Sequence, residues 1–231
     1  RLPEKQLAVV AQIIEKNPNV VVTVYSGRPL DLQGIDVAKG IVQAWQPGTE
    51  GGNALAEILW GEYNPSGRLS MSFPETVGQV PIFYNVDNTG RPYESAPEEK
   101  YVSKYLDVSN YAKYPFGFGL SYSHFSYQPI QLSALTFTKE QPVTVSVLVR
   151  NDSPIAGEET VQFYVRDLVG QVVRPIKELK DFQKEVQFLL SEDMVRYVHS
   201  DNQVTSDAGE FIVMIGGNSR DVQTATVTLN E

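Results

Sequence analysis

Cysteine is absent from this 231-residue sequence. That removes disulfides, thiolate metal sites and a cysteine nucleophile, and it leaves the redox compartment open. Histidine is scarce: His124 and His199 are the only two. They stand far apart, and no carboxylate cluster at ligand spacing accompanies either, so each reads as a solvated or core histidine and no metal site is expected. Long apolar runs are missing. A stretch such as Val20 to Val24 is far shorter than the ~20 residues that span a bilayer, so no membrane partner is expected. Positive charge is in deficit, with 19 basic against 28 acidic residues and a net charge of −9. An acidic chain argues against nucleic acid or an anionic membrane surface as the main partner. The N-terminal Arg1-Leu2-Pro3-Glu4-Lys5-Gln6 is no signal peptide. It lacks Met and stands just before a predicted helix, so a piece of a longer protein is expected.

What is present is an ordinary globular composition, 42% hydrophobic and 20% charged, which excludes a disordered chain. The length corresponds to about one and a half domains. The first third reads as α/β. Residues 3 to 16 place Leu7, Val10, Ile13 and Ile14 on one helical face, Pro3 suits the first turn, and Asn17-Pro18 stops the helix. The run Val20 to Ser26 predicts a strand buried on both faces of a parallel sheet. Gly40 to Trp45 predicts the next strand, Asn53 to Trp60 a helix ended by Gly61, and Arg68 to Phe73 a third strand. No strand precedes the first helix, so this third reads as the back half of an α/β domain.

Residues 74 to 122 are irregular but rich in aromatics, Tyr84 to Tyr122 among them. A disordered linker would be poor in these, so an ordered loop packed against something is expected. From about Phe125 the pattern turns to period two, and about seven short strands predict an immunoglobulin-like sandwich. The Cys…Trp…Cys hallmark is missing, which favours a fibronectin type III-like variant. The fold class is thus α/β plus all-β: residues 1–122 and 123–231.

Candidate chemistry is sparse. Pro47 to Asn53 is Gly-rich and precedes a helix, but it lacks the Lys-Ser/Thr of a P-loop and reads as a tight turn with Glu50 near the helix dipole. No G-x-S-x-G elbow occurs. A glycosidase needs two carboxylates flanking a bond; carboxylates from Glu50 to Asp107 are available, but spacing pairs no two of them. The segment Gly90 to Asp107 mixes Tyr with Arg and Lys. Tyr faces stack on sugar rings and basic side chains donate to hydroxyls, whereas the plainer reading is a surface loop pinned by Tyr packing; both stand.

The ordered motifs VVVTVYSGRPLDL (Val20 to Leu32), AWQPGTEGGNALAEILWGEYNPSGRLSMSFP (Ala44 to Pro74), VGQVPIFYN (Val77 to Asn85), TGRPY (Thr89 to Tyr93) and YPFGFGLSYSHFSY (Tyr114 to Tyr127) resemble the C-terminal portion of glycoside hydrolase family 3, bacterial β-glucosidase type. GEETVQFYVRD (Gly157 to Asp167), RPIKELKDF (Arg174 to Phe182) and GEFIVMIGG (Gly209 to Gly217) are similar to that family's fibronectin type III-like domain. The resemblance implies an N-terminal (β/α)₈ barrel carrying the nucleophilic Asp as partner, then an α/β sandwich domain, then the fibronectin-like domain. It implies a retaining exo-β-glycosidase acting on terminal non-reducing β-D-glycosyl residues of a β-glucoside or oligosaccharide, with no cofactor. The acid/base Glu would precede the Leu2-Pro3-x-x-Gln6 segment, so no catalytic residue is carried over and Glu4 is no substitute. Arg91, Tyr93, Lys100 and Tyr101 are the candidate substrate-binding residues, on the leaving-sugar rim. Arg28, Trp45 and Arg68 read as structural. The family pattern has a strand, a Pro-Gly-type turn and another strand after KELKDF. Here Lys184 runs straight into Glu185, so either the hairpin is short or residues of the pattern are absent; the second is expected.

Two other classes stay open: a carbohydrate-binding module, disfavoured by the lack of Trp in the sandwich, and a purely structural or assembly segment. A homodimer, and a cytoplasmic as against a periplasmic or secreted setting, are also left open.

Overall fold

The computed structural model describes residues 1–183 and 187–230. The chain divides into two compact units that do not follow chain order. The first comprises Arg1–Tyr63, Met71–Phe83 and Lys104–Pro115; the second comprises Asn64–Ser70, Tyr84–Ser103 and Phe116–Glu231.

In the first unit, helix α1 runs Glu4–Lys16 with Pro3 just ahead of it as cap. The Pro3 carbonyl accepts the Gln6 and Leu7 amides at 3.0 and 3.2 Å. Leu7, Val10 and Ile14 are half-buried, while Ile13 is 48% exposed. Strand β1 (Val21–Val24) pairs parallel with β2 (Gly40–Gln43). The expectation of a strand buried on both faces is not met: only Val24 is buried, and Val21 is 49% exposed. A two-stranded parallel pair has too few neighbours to be covered on both faces.

Helix α2 (Gly51–Trp60) starts two residues before the expected Asn53, and Gly61 ends it at φ 79°. The expected strand Arg68 to Phe73 does not form. Phe73 makes one antiparallel bridge to Tyr114, whereas Asn64–Ser70 belongs to the second unit. The first unit therefore has two strands, not three. Trp45 meets the Phe73 ring edge-on at 5.8 Å, and Phe73 meets Tyr114 at 6.5 Å. Gln79, almost fully buried, accepts from the Glu75 amide at 2.5 Å and donates to the Ser109 carbonyl at 2.7 Å. This satisfies the groups that irregular backbone would otherwise leave orphaned.

The second unit is a two-sheet sandwich. Its strands are β3 (Phe125–Tyr127), β4 (Gln131–Leu132), β5 (Thr136–Phe137), β6 (Val143–Ser146), β7 (Val149–Asn151), β8 (Val161–Asp167), β9 (Glu178–Gln183), β10 (Gln187–Leu190), β11 (Tyr197–Val198), β12 (Val204–Thr205), β13 (Gly209–Gly216) and β14 (Val222–Leu229). The larger sheet has the order β5-β14-β13-β8-β9, and the facing sheet β10-β6-β4. All pairs in both are antiparallel except β14 with β5. Alternate residues Val143, Val145, Phe163, Val165, Phe188, Phe211, Val213 and Val227 meet in one core, as period-two patterning requires. Phe163 and Phe188 stack across it at 5.0 Å. Strands β9 and β10 join different sheets and are not hairpin partners. The Lys184–Glu185 junction itself lies outside the described residues.

Strand β8 departs from the alternation: Val161 through Val165 are all buried. Odd positions face the core. Even positions face irregular segments of the same unit, which cover β8 on that side. The Tyr164 ring meets Tyr84 edge-on at 5.7 Å. The Gln162 amide donates to the Gly117 and Gly217 carbonyls at 3.1 and 2.7 Å and accepts from the Tyr164 hydroxyl at 2.5 Å. Gly117 sits at φ 81°, and a Cβ there would collide with the Gln162 amide, so this contact requires glycine.

A short 3₁₀ turn, Glu192–Val195, holds the clearest pH-sensitive ion pair. The Arg196 Nε donates to both Glu192 carboxylate oxygens at 2.9 Å, and the Ser206 hydroxyl adds a bond at 2.5 Å. The Arg196 hydrogen bonds hold the Glu192 carboxyl below its usual range, outweighing the burial that opposes them. A depressed folded pKa contributes stability that is present above the unfolded value, ~4.3, and lost as pH falls through the folded value. Acid titration of unfolding should therefore show stability falling below about pH 4.3, with a shallower slope for Glu192→Gln; an unchanged slope would refute the assignment.

Candidate functional site

The Tyr-rich segment runs from Tyr84 to Ser103 within the second unit. Tyr84 is its root. The ring stacks on Phe116 at 4.4 Å, and its hydroxyl accepts the Leu179 amide of β9 at 3.4 Å. Two residues on, the Ile176 amide donates to the Val86 carbonyl at 2.9 Å, and Asp87 bridges Pro175. Further out, Pro92 starts a 3₁₀ turn, Tyr93–Ser95, as its fixed φ favours. The Ser103 amide donates to the Arg91 carbonyl at 2.9 Å and so closes the segment on itself.

Of the four candidate substrate-binding residues, Arg91, Lys100 and Tyr101 are exposed and Tyr93 is half-buried. Lys100 and Tyr101 are brought together, with the ammonium 5.3 Å from the ring centroid. The Ser103–Arg91 bond brings Arg91 back toward the same end of the segment. Tyr101 is 67% exposed, with the Lys100 ammonium over its ring. An exposed ring beside cationic donors can stack on a sugar face and hydrogen-bond its hydroxyls.

Beneath the segment lies Lys177, which patterning did not single out. Its ammonium donates to the Ser219 carbonyl at 2.6 Å. Burial pushes its pKa down, and the Glu94 carboxylate opposes that shift. The only signal in the sequence was its place in RPIKELKDF.

Several other titratable groups are engaged in the sandwich. Arg68 pairs with Glu159 at 2.5 Å, both largely buried, and donates to the Ser66 and Gly67 carbonyls. Tyr127 completes this group with a 2.7 Å bond to Glu159; burial and that carboxylate push its hydroxyl pKa up. Burial likewise raises the Asp167 carboxyl, although the Val169 amide donates to it. His199 is a core histidine, stacked on Tyr197 at 4.2 Å. Its Nε2 lies 3.2 Å from the Thr205 carbonyl and so carries the proton. His124 is exposed. Among the described residues no group of three or more His, Asp or Glu is placed to hold a metal ion, and no helix is long and apolar enough to cross a membrane. Glu50 caps α2, with Asn53 donating to its carboxylate at 2.6 Å, so the Gly-rich turn feeds a helix.

Residues 1–122 match the sequence model of the glycosyl hydrolase family 3 C-terminal domain. The chain belongs to glycosyl hydrolase family 3. Residues 159–219 match the fibronectin type III-like domain, which places the sandwich of this family 3 chain. A periplasmic beta-glucosidase of Salmonella typhimurium is 37% identical over 99% of this chain and 31% of its own length. Thermostable beta-glucosidase B of Acetivibrio thermocellus is 33% identical over 96% of this chain and 31% of its own. The crystal structure of a Listeria innocua beta-glucosidase in complex with gluconolactone matches at TM-score 0.93 and 36% identity, covering 100% of this chain and 33% of that one. The family 3 chain thus spans about a third of the length of the curated relatives it matches. Its fold class is the C-terminal part of the family's α/β sandwich domain followed by the fibronectin type III-like sandwich.

Proposed function

We propose that this chain is the C-terminal region of a retaining exo-β-glucosidase that hydrolyses terminal non-reducing β-D-glucosyl residues. Residues 1–122 would end the α/β sandwich domain and residues 123–231 form the fibronectin-like one. The observation that carries the reading is the match along the whole chain, at TM-score 0.93, to a third of the Listeria innocua beta-glucosidase. That protein has also been crystallised with glucose, isofagomine and, as a variant, laminaribiose, which supports a glucosyl substrate here.

The mechanism needs two carboxylates, a nucleophile and a general acid/base, about 5–5.5 Å apart. Among the described residues, the carboxylates Asp167 and Glu192 have shifted pKa but other work: one accepts a backbone amide, the other an arginine and a serine. On the family 3 resemblance, the reacting pair would come from the remaining two-thirds of the protein. The apolar residues Val9, Ile13, Val21, Tyr25 and Val37 of the first unit are exposed and so are available to pack against another part of the protein. The role of this region would be to supply that contact and, through Arg91, Lys100 and Tyr101, a rim around the leaving sugar. A setting outside the cytoplasm, like that of the Salmonella relative, goes with this reading.

Hydrolysis of a β-glucoside by the full-length parent enzyme, followed by ¹H NMR, should release β-glucose first. Release of α-glucose first would overturn the retaining assignment.

A further inference from the structure

The segment 86–103 carries one 3₁₀ turn and otherwise no regular structure, yet it holds a closed shape through the Ser103–Arg91 bond. Its anchors all come from one place. Tyr84 is wedged between Phe116 at 4.4 Å and Tyr164 of β8 at 5.7 Å, and it is tied to Leu179 of β9. Residues 175 and 176, just before β9, take up Asp87 and Val86. Lys177 follows, fixed by Ser219 and attracted to Glu94. Even-numbered positions of β8 would ordinarily face solvent; here Tyr164 is fully buried beneath the root of the segment. Two adjacent strands, β8 and β9, thus hold the root of the segment and bear on where its exposed tip stands.

We propose that the outer side of β8 and β9 is a positioning platform, and that Tyr84, with Lys177 in support, is the positioning residue that sets Arg91, Lys100 and Tyr101 against the leaving sugar. This rests on the β-glucosidase reading and its rim. Tyr84 touches no substrate; it acts through the loop. Displacing binding groups by an ångström can cost up to about 10²-fold in rate, so loosening the root should weaken reactions that use the rim and spare those that do not.

The test uses the full-length enzyme with two substrates. One is laminaribiose, which has a leaving sugar. The other is β-glucosyl fluoride, whose leaving group is a single atom and cannot reach a rim. Tyr84→Ala should lower kcat/KM for laminaribiose about 10-fold, mainly through KM, and change the fluoride by less than about 2-fold. Tyr84→Phe keeps the ring stack and should restore wild-type behaviour. Lys177→Met should show the same selectivity at about 3-fold, and it decides the matter if Tyr84→Ala fails to fold. Equal losses on both substrates, or none, alongside a selective loss in Tyr101→Ala, would overturn the platform and leave the rim standing. If Tyr101→Ala handles both substrates as the wild type does, the rim itself falls, and the platform with it.

Discussion

Arg68→Met is expected to lower the unfolding free energy by about 3 kcal/mol or more, the scale for breaking a buried ion pair by removing one partner. Arg68 and Glu159 retain only 10% and 12% of their side-chain exposure, and their nitrogen and oxygen stand 2.5 Å apart. Methionine fills the aliphatic space but leaves the Glu159 carboxylate buried with, among the described residues, the Tyr127 hydroxyl as its remaining donor. It also removes the donor to the Ser66 and Gly67 carbonyls. The cost is therefore the stranded charge rather than the pair itself. The double variant Arg68→Met with Glu159→Gln should recover part of the loss, since two charges then leave together. Arg68→Lys should fall between, because an ammonium lacks the planar fork that serves a carboxylate and two carbonyls at once. Urea unfolding of each variant reads these differences. A loss under about 1 kcal/mol would mean the pair behaves like a solvated surface bridge.

The same residue shows why one part of the fold could not be read in sequence. Arg68 to Phe73 alternates like a strand, but the group that claims Arg68 lies 91 residues away, and no local pattern reports it. Strands β13 and β14 were legible because each runs eight residues, with Phe211, Val213, Ile215, Val227 and Leu229 recurring every second position against a single core. Strands β4, β5, β11 and β12 have two residues each, too few for any period. In β8, Gln162 and Tyr164 looked like outward positions; their burial depends on irregular segments that periodicity cannot place. The Tyr-rich segment was legible as an ordered loop because disordered chains lack its aromatics. Its root was not, because Tyr84 differs from its neighbouring tyrosines only through partners as distant as Leu179, 95 residues on.

The second large effect concerns chemistry rather than stability. A retaining glycosidase gains most of its rate from a positioned nucleophile and acid/base, and enzymes as a class accelerate reactions at least about 10⁶-fold. On the proposed reading this chain holds a rim and a platform but neither reacting carboxylate, and so loses that whole factor. Its sandwich still has a continuous core, from Phe137 to Leu229, and should unfold cooperatively. The decisive measurement is therefore the hydrolysis of an aryl β-glucoside by the purified 231-residue polypeptide, assayed beside the full-length enzyme after a cooperative unfolding transition has been recorded for both. The expected result is turnover by the full-length enzyme and no release above the uncatalysed background by the shorter chain. Hydrolysis by the shorter chain at a rate approaching that of the full-length enzyme would contradict the account, because the catalytic carboxylates would then have to lie among these residues.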